Sequence, residues 1–273
     1  MKHTFLALVA VVSFAFGAKA QNVGQEGDTL LNYIDINGLK QGHWVKKYTN
    51  GVVEYEAYFV DNKPVGDFKR YTRNGDLYAH LFYKNEGKDA DVTFYHRNGR
   101  VSAKGRYLNH KKDSTWNYYA ATGVYYLQEN YQDGLLHGRS TQFTSERKKF
   151  EEIDWVHGVK NGIWRRYYIN GQVQFEVPYV DGKLHGEGKM YYESGVLHKK
   201  GKYVNDLMEG SWQIYKTSGG FDRLYTYKHG VCEELNEQQN KEINELERNI
   251  GQMQDLDPAT HMNDPMWLMR DDR

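Results

Sequence analysis

The sequence predicts an all-β protein: an elongated antiparallel meander of about 16 strands, built from hairpin repeats and closed by a C-terminal capping α-helix. Three observations predict it. Tyrosine counts 23 and glycine 27 in 273 residues, against only 4 prolines. Small and aromatic residues recur every 24 positions without an insertion. Two turn dipeptides fall within most periods. Aromatic residues at 15% beside hydrophobic residues at 39% describe short tyrosine-rich strands rather than a helical bundle or an α/β enzyme. The 36 basic and 36 acidic residues leave a formal charge of zero, so no global field draws the chain to nucleic acid. The single cysteine, Cys232, excludes a disulfide framework and a multi-cysteine zinc site.

Residues 1–20 read as a secretory signal. Lys2 and His3 precede the apolar run Phe5 to Phe16, and Ala18-Lys19-Ala20 forms a small-residue cleavage site before Gln21. That run is too short for the roughly 20 residues a membrane span requires. An exported protein, periplasmic or extracellular at the cell surface, is therefore expected. Residues 21–38 contain Tyr33 to Ile36 followed by Asn37-Gly38, the second strand of an incomplete repeat that can cap the first sheet edge.

Eight repeats follow over residues 39–230. With slot 0 at Gly42, Gly66, Ala90, Ser114, Gly138, Gly162, Gly186 and Gly210, every occupant is small. Slot +17 is aromatic throughout: Phe59, Tyr83, Tyr107, Tyr131, Trp155, Tyr179, Tyr203 and Tyr227. Slot +5 holds Lys47 and then seven rings from Tyr71 to Tyr215, and slot +2 adds Trp44, Phe68, Trp116, Trp164 and Trp212. In one repeat, Trp164 to Tyr168 is a β-favouring run and Asn170-Gly171 a two-residue turn with positive φ at both positions. Asp181-Gly182 makes the second turn. Two tight turns in 24 residues leave no room for a helix, so adjacent strands are antiparallel. At roughly 4.8 Å per strand the sheet spans about 75 Å. Slots +11 and +17 share parity and are expected on one face, and slots +2 and +5 on opposite faces unless a bulge intervenes. The rings are expected to form a continuous apolar ladder, and the slot 0 glycines to permit close packing beneath a neighbouring ring.

Asn161 to Gly171 (NGIWRRYYING) and Asp181 to Gly186 (DGKLHG) resemble MORN repeats, closest to their bacterial, antitoxin-like variant. The resemblance covers about 192 residues and implies the hairpin-repeat fold. For function it implies scaffolding, protein binding and lipid contact, and the antitoxin-like variant implies an immunity protein with a toxin partner. Repeats three to five depart most, with Ala90 and Ser114 for glycine and Glu146-Arg147 for the turn dipeptide.

Residues 231–273 carry a net charge of −7, leaving about +5 on residues 21–232. Leu235, Ile243, Leu246, Ile250 and Met253 fall on one helical stripe, predicting a helix over about 234–250 that covers the last strand edge or meets a partner helix.

No catalytic motif occurs, so a non-enzymatic binding or scaffold protein without cofactor or metal is expected. Carboxylates read as solvating turn residues. His137 and His185 share a slot but stand four strands apart, too far for one metal ion. Cys232 reads as a packing residue. A basic cluster in repeat three and its turn, Arg97, Arg100, Lys104, Arg106, Lys111 and Lys112, is the candidate site for an anionic partner. Candidate partners are a protein or envelope component, an anionic lipid, a glycan or the chain's own acidic tail. A glycan- or cell-wall-binding module is the alternative function. Nucleic acid is not expected.

Overall fold

The computed structural model describes residues 25, 26, 29–235 and 239–245. Apart from a small hairpin, Gln25–Glu26 with Thr29–Leu30, the strands form one antiparallel meander. Repeat one is Lys40–Lys47 and Val53–Val60, repeat two Lys63–Tyr71 and Leu77–Lys84, repeat three Asp89–Tyr95 and Val101–Leu108, and repeat four Lys111–Tyr119 and Tyr125–Gln132. Repeat five begins with Leu135–Leu136 and Gly138–Phe143 and returns through Lys149–Val156. Repeat six is Val159–Tyr167 and Val173–Val180, and repeat seven Lys183–Leu184 with Gly186–Tyr191, then Leu197–Val204. Repeat eight is Leu207–Tyr215 and Phe221–Lys228. The eight hairpins thus supply the expected 16 strands. Among the described residues no register pairs the last strand with the first, so the sheet is open.

The turn between repeats has the geometry expected for two positive φ values: Asp181 at 49° with Gly182 at 80°, and Asp133 at 52° with Gly134 at 87°. The turn inside each repeat does not. At Asn170-Gly171 only Gly171 is left-handed, at φ 88°. The Gly171 amide donates to the Tyr168 carbonyl at 2.9 Å and the Tyr168 amide to the Gln172 carbonyl at 2.8 Å. This is a three-residue connection, a type I turn followed by a left-handed residue. Asparagine serves a different purpose here. Its side-chain oxygen accepts from the amide two residues on, at 2.9 Å from Gln172, while its Nδ2 donates to the Glu193 carbonyl of the next repeat at 2.8 Å. Asn50 and Asn98 do the same toward Arg73 and Ala121. Two residues earlier, the Tyr48, Tyr168 and Tyr192 hydroxyls also donate to a carbonyl one repeat ahead.

Arg147 keeps this turn with φ 62°, a conformation that costs a residue bearing Cβ roughly 1–2 kcal/mol. Arg147→Gly is therefore expected to be neutral or to stabilise by up to about 1 kcal/mol in urea unfolding, and Gly171→Val to destabilise. A marked loss from Arg147→Gly would contradict the turn.

Two kinds of bulge, one found in every repeat and one absent from repeat three, fix which side chains share a face. One lies between slots +4 and +5, where Arg166 faces Phe175 but Tyr167 faces Val173. It reverses parity within the second strand, so slots +11 and +17 lie on opposite faces, contrary to the expectation from spacing. Tyr119 and Tyr125 accordingly meet at 5.5 Å, slot +5 against slot +11. Slots +2 and +5 do point to opposite faces, and both faces carry rings. The other bulge is at slot 0, whose glycines are left-handed: Gly42, Gly66, Gly138, Gly162, Gly186 and Gly210 have φ between 67° and 124°. A Cβ on Gly66 or Gly210 would meet nothing within 4 Å, whereas one on Gly162 would stand 2.6 Å from Asp154 and one on Gly186 2.7 Å from Pro178, so what the slot 0 glycines share is the left-handed backbone, not space beneath an aromatic ring. Repeat three confirms the reason. Its ladder runs unbulged from Lys84–Asp89 to Ala79–Phe94, the extra residues are taken up in the longer turn at Asn85–Gly87, and Ala90 is tolerated.

Both sheet ends are covered. At the first, Tyr33–Ile34 pairs with Gln41 and Lys40, and the Asn32 side chain exchanges hydrogen bonds with both backbone groups of Val45. At the second, a further strand, Val231–Cys232, pairs with Tyr227 and Lys228, and the Glu234 carboxylate accepts from the Thr226 amide. The last edge therefore does not depend on a helix alone. A helix is present at residues 239–245, inside the expected 234–250, whose residues 236–238 and 246–250 lie outside the described residues; Asn240 anchors it by donating to the Cys232 and Leu235 carbonyls. Leu235 packs on the cluster containing Trp212 and Tyr227, as expected. The signal segment, Leu246, Ile250, Met253 and the rest of the acidic tail lie outside the described residues.

Candidate binding faces

One face of the sheet carries the rings of slots +2, +13 and +17, and burial there is achieved by neighbour against neighbour. Tyr83, Tyr107, Tyr179, Tyr203 and Tyr227 are buried and Tyr131 half-buried. Burial drives the Tyr83 hydroxyl up to about 12. Space beneath the largest rings comes from slot +15, which the sequence reading passed over. A Cβ on Gly105 would sit 2.2 Å from the Trp116 ring, and one on Gly201 2.2 Å from Trp212. In repeat two Phe68 lies opposite Ala57, so a larger ring is matched by a smaller partner one strand earlier. The pairing of sizes eleven residues apart was visible in the sequence. Lysine stems complete the cover: the Lys112 ammonium stands 4.7 Å from the Trp116 ring and that of Lys160 5.4 Å from Tyr179.

The ladder is not continuous. It breaks at repeats four and five, where Ser140 replaces the slot +2 ring and two carboxylates are buried on the ring face. Tyr131 donates its hydroxyl proton to Glu129 at 2.7 Å, and Trp164 donates Nε1–H to Glu151 at 2.9 Å. On the opposite face Glu152 accepts from Tyr167 at 2.6 Å and from Lys149. Not all carboxylates are solvating turn residues, then. Asp89 is one: it caps a turn by accepting from the Asn109 amide.

Burial raises the Glu151 carboxyl above its ordinary 4.5, although Trp164 and Arg166 oppose this. A folded value above the unfolded one contributes stability below pH 4.5 that is lost as pH rises through the folded value. Glu151→Gln should therefore gain on the parent protein as pH is raised from 4 to 8, measured by urea unfolding. A difference constant across that range would show that Glu151 is ordinary.

The basic cluster expected to bind an anion does not converge. Lys112 is engaged over the rings, and the Arg100 guanidinium donates to the Ala121 and Thr122 carbonyls. Arg97 is exposed on a turn, Lys104 and Arg106 project from the opposite face, and the Lys111 stem packs against Gly134. His137 is not near His185 but close to His157, with ring centroids 5.0 Å apart. Among the described residues no three metal-ligating side chains gather. Cys232 is buried in the core, and burial pushes its thiol up.

Two concavities stand out among the described residues. A broad one of about 910 Å³ lies on the outer face of repeats one and two, against Leu31 and Asn32 and lined by His43, Val45 and Tyr71. The second, of about 230 Å³, opens on the ring face at repeats six and seven. It is lined by Trp164, Phe175, Tyr179, Met190 and Tyr203, together with Arg166 and His198. Repeat seven carries Gly188 at slot +2, where repeats six and eight have tryptophan, and Tyr203 and Val177 take up the space above that glycine. Arg166 is the one arginine or lysine in the lining. Its Nε makes no hydrogen bond and stands 3.8 Å from Glu151. Burial and then Lys199 lower the His198 imidazole below its ordinary 6.5, which favours the neutral ring.

Comparison with known families finds four matches to the MORN repeat variant, at residues 40–61, 64–85, 160–181 and 184–205. These are repeats one, two, six and seven, and the departures in repeats three to five fall outside them. No curated protein matches the chain.

Proposed function

The chain belongs to the MORN-repeat family, and on that premise we propose that it is an exported, non-enzymatic scaffold that binds a protein partner along its sheet. The observation that carries this reading is the single layer itself. Sixteen main strands are stacked without a second sheet over either face among the described residues, and the outer face presents exposed apolar side chains such as Tyr58, Phe82 and Val180. Such repeat arrays offer extended surfaces rather than a reaction centre. Residues 1–20 support export, since the small-residue site precedes Gln21.

Photo-crosslinking groups placed singly at Tyr58 on the outer face and at Gln174 on the ring face test the binding reading. One protein, captured reproducibly from the envelope fraction through one face, is the expected result. Turnover of an envelope substrate by the purified protein, abolished by changing one acidic residue, would replace scaffold by enzyme. N-terminal sequencing tests export: a mature chain starting at Gln21 is expected, and one starting at Met1 in the cytosol would refute it.

A further inference from the structure

We propose that the ring-face cleft of repeats six and seven is the specificity pocket of that scaffold, receiving a large apolar side chain that adjoins a carboxylate on an extended partner segment. The proposal rests on the protein-binding reading and names the chemistry of the partner. Three observations on the cleft lead to it.

The first is size. The cleft of about 230 Å³ is lined by Trp164, Phe175, Met190 and Tyr203 and has room for one large side chain. Gly188 does not open it, since a Cβ there would already stand 2.8 Å from Tyr203 and 2.9 Å from Val177. A natural core tolerates few voids of this volume, because the atoms lining one forgo their dispersion contacts.

The second is chemistry. The walls are aromatic and thioether surfaces, which favour an aromatic or branched side chain. The third is charge. Arg166 is held from one side by the Phe150 ring, 4.9 Å from its guanidinium carbon, and Glu151 is too far for a hydrogen bond to its Nε. Guanidinium groups bind carboxylates through paired hydrogen bonds, and a half-buried one with donor capacity to spare selects an acid beside the apolar anchor. A basic residue in that position on the partner would be rejected.

The probe is a blocked peptide, acetyl-Gly-Asp-Trp-Gly-amide, titrated calorimetrically into the full-length protein. Saturable binding is expected. It should weaken about tenfold or more when the peptide carries Asn for Asp, or when the protein carries Arg166→Gln. Because Arg166→Gln can disturb Glu151, a second variant, His198→Trp, plugs the cleft while leaving the charge pair in place, and it should also abolish binding. Equal affinity for the Asp and Asn peptides, or binding that survives His198→Trp in a protein with unchanged melting, would overturn the proposal. A rise in peptide affinity on Trp267→Ala would overturn it too, by assigning the cleft to the chain's own Asp264 to Met269. If the crosslinked partner is still captured by the Arg166→Gln and His198→Trp variants, the cleft assignment fails and the scaffold reading stands. If no partner is captured by the parent protein, the scaffold reading itself fails.

Discussion

Replacing Trp212 by alanine is expected to lower stability by about 3–5 kcal/mol, as for a fully buried large aromatic. The indole has 0% exposure, meets Tyr203 at 5.1 Å and Tyr227 at 6.1 Å, and is roofed by the Lys199 ammonium at 5.3 Å. What makes the site distinctive is its floor. Gly201 lies so close that any Cβ would penetrate the ring, so Gly201→Ala alone should cost about 1–3 kcal/mol through overpacking. The two changes are not independent. Once Trp212 is alanine the clash is gone, and adding Gly201→Ala should cost almost nothing. A double-mutant cycle in urea should thus give a coupling of at least about 1 kcal/mol. Additive effects would mean that the ring does not rest on the glycine.

Tyr179→Ala should also destabilise by about 3–5 kcal/mol. The ring is 8% exposed, tilted 49° against Trp164 at 6.1 Å and capped by Lys160. It is also a wall of the cleft, so the same substitution should enlarge the cavity and weaken probe binding. A loss below about 1 kcal/mol would identify the ring as surface rather than core.

Periodicity made the architecture legible. A ring at every slot +17 and two turn signals in most periods allow only a meander of hairpins, and the strand count followed. What periodicity could not convey is parity. It counts residues, whereas a bulge adds one without changing the count per repeat, and so exchanges the faces of everything on one side of it. Slots +11 and +17 were misplaced for that reason. The dipeptide Asn-Gly was misleading in a related way, since glycine alone adopts the left-handed conformation while asparagine bridges to the next repeat. Glu129 and Glu151 were invisible because carboxylates are usually exposed, and only the missing ring at Ser140 hints at a polar interruption. Arg166 was read as one residue of a β-favouring run. Its place in the cleft depends on Met190, His198 and Tyr203 of the next repeat, which no single repeat displays.

The side-chain bonds from the turns inside the repeats run forward: Asn50, Asn98 and Asn170, with the Tyr48, Tyr168 and Tyr192 hydroxyls, each reach a carbonyl 23 residues ahead. The amides of the turns between repeats, such as Gly158 and Gly182, donate back to carbonyls 22 residues earlier. The array therefore has a grammar of whole units. Excising 24 residues, such as 184–207, rejoins every donor to an equivalent carbonyl and every ring to an equivalent neighbour. Excising one residue more or fewer shifts those donors off their acceptors and turns the following strand over. A gene encoding such a chain can lengthen or shorten in steps of 72 nucleotides, and copy number becomes a trait that varies without any fold having to be reinvented.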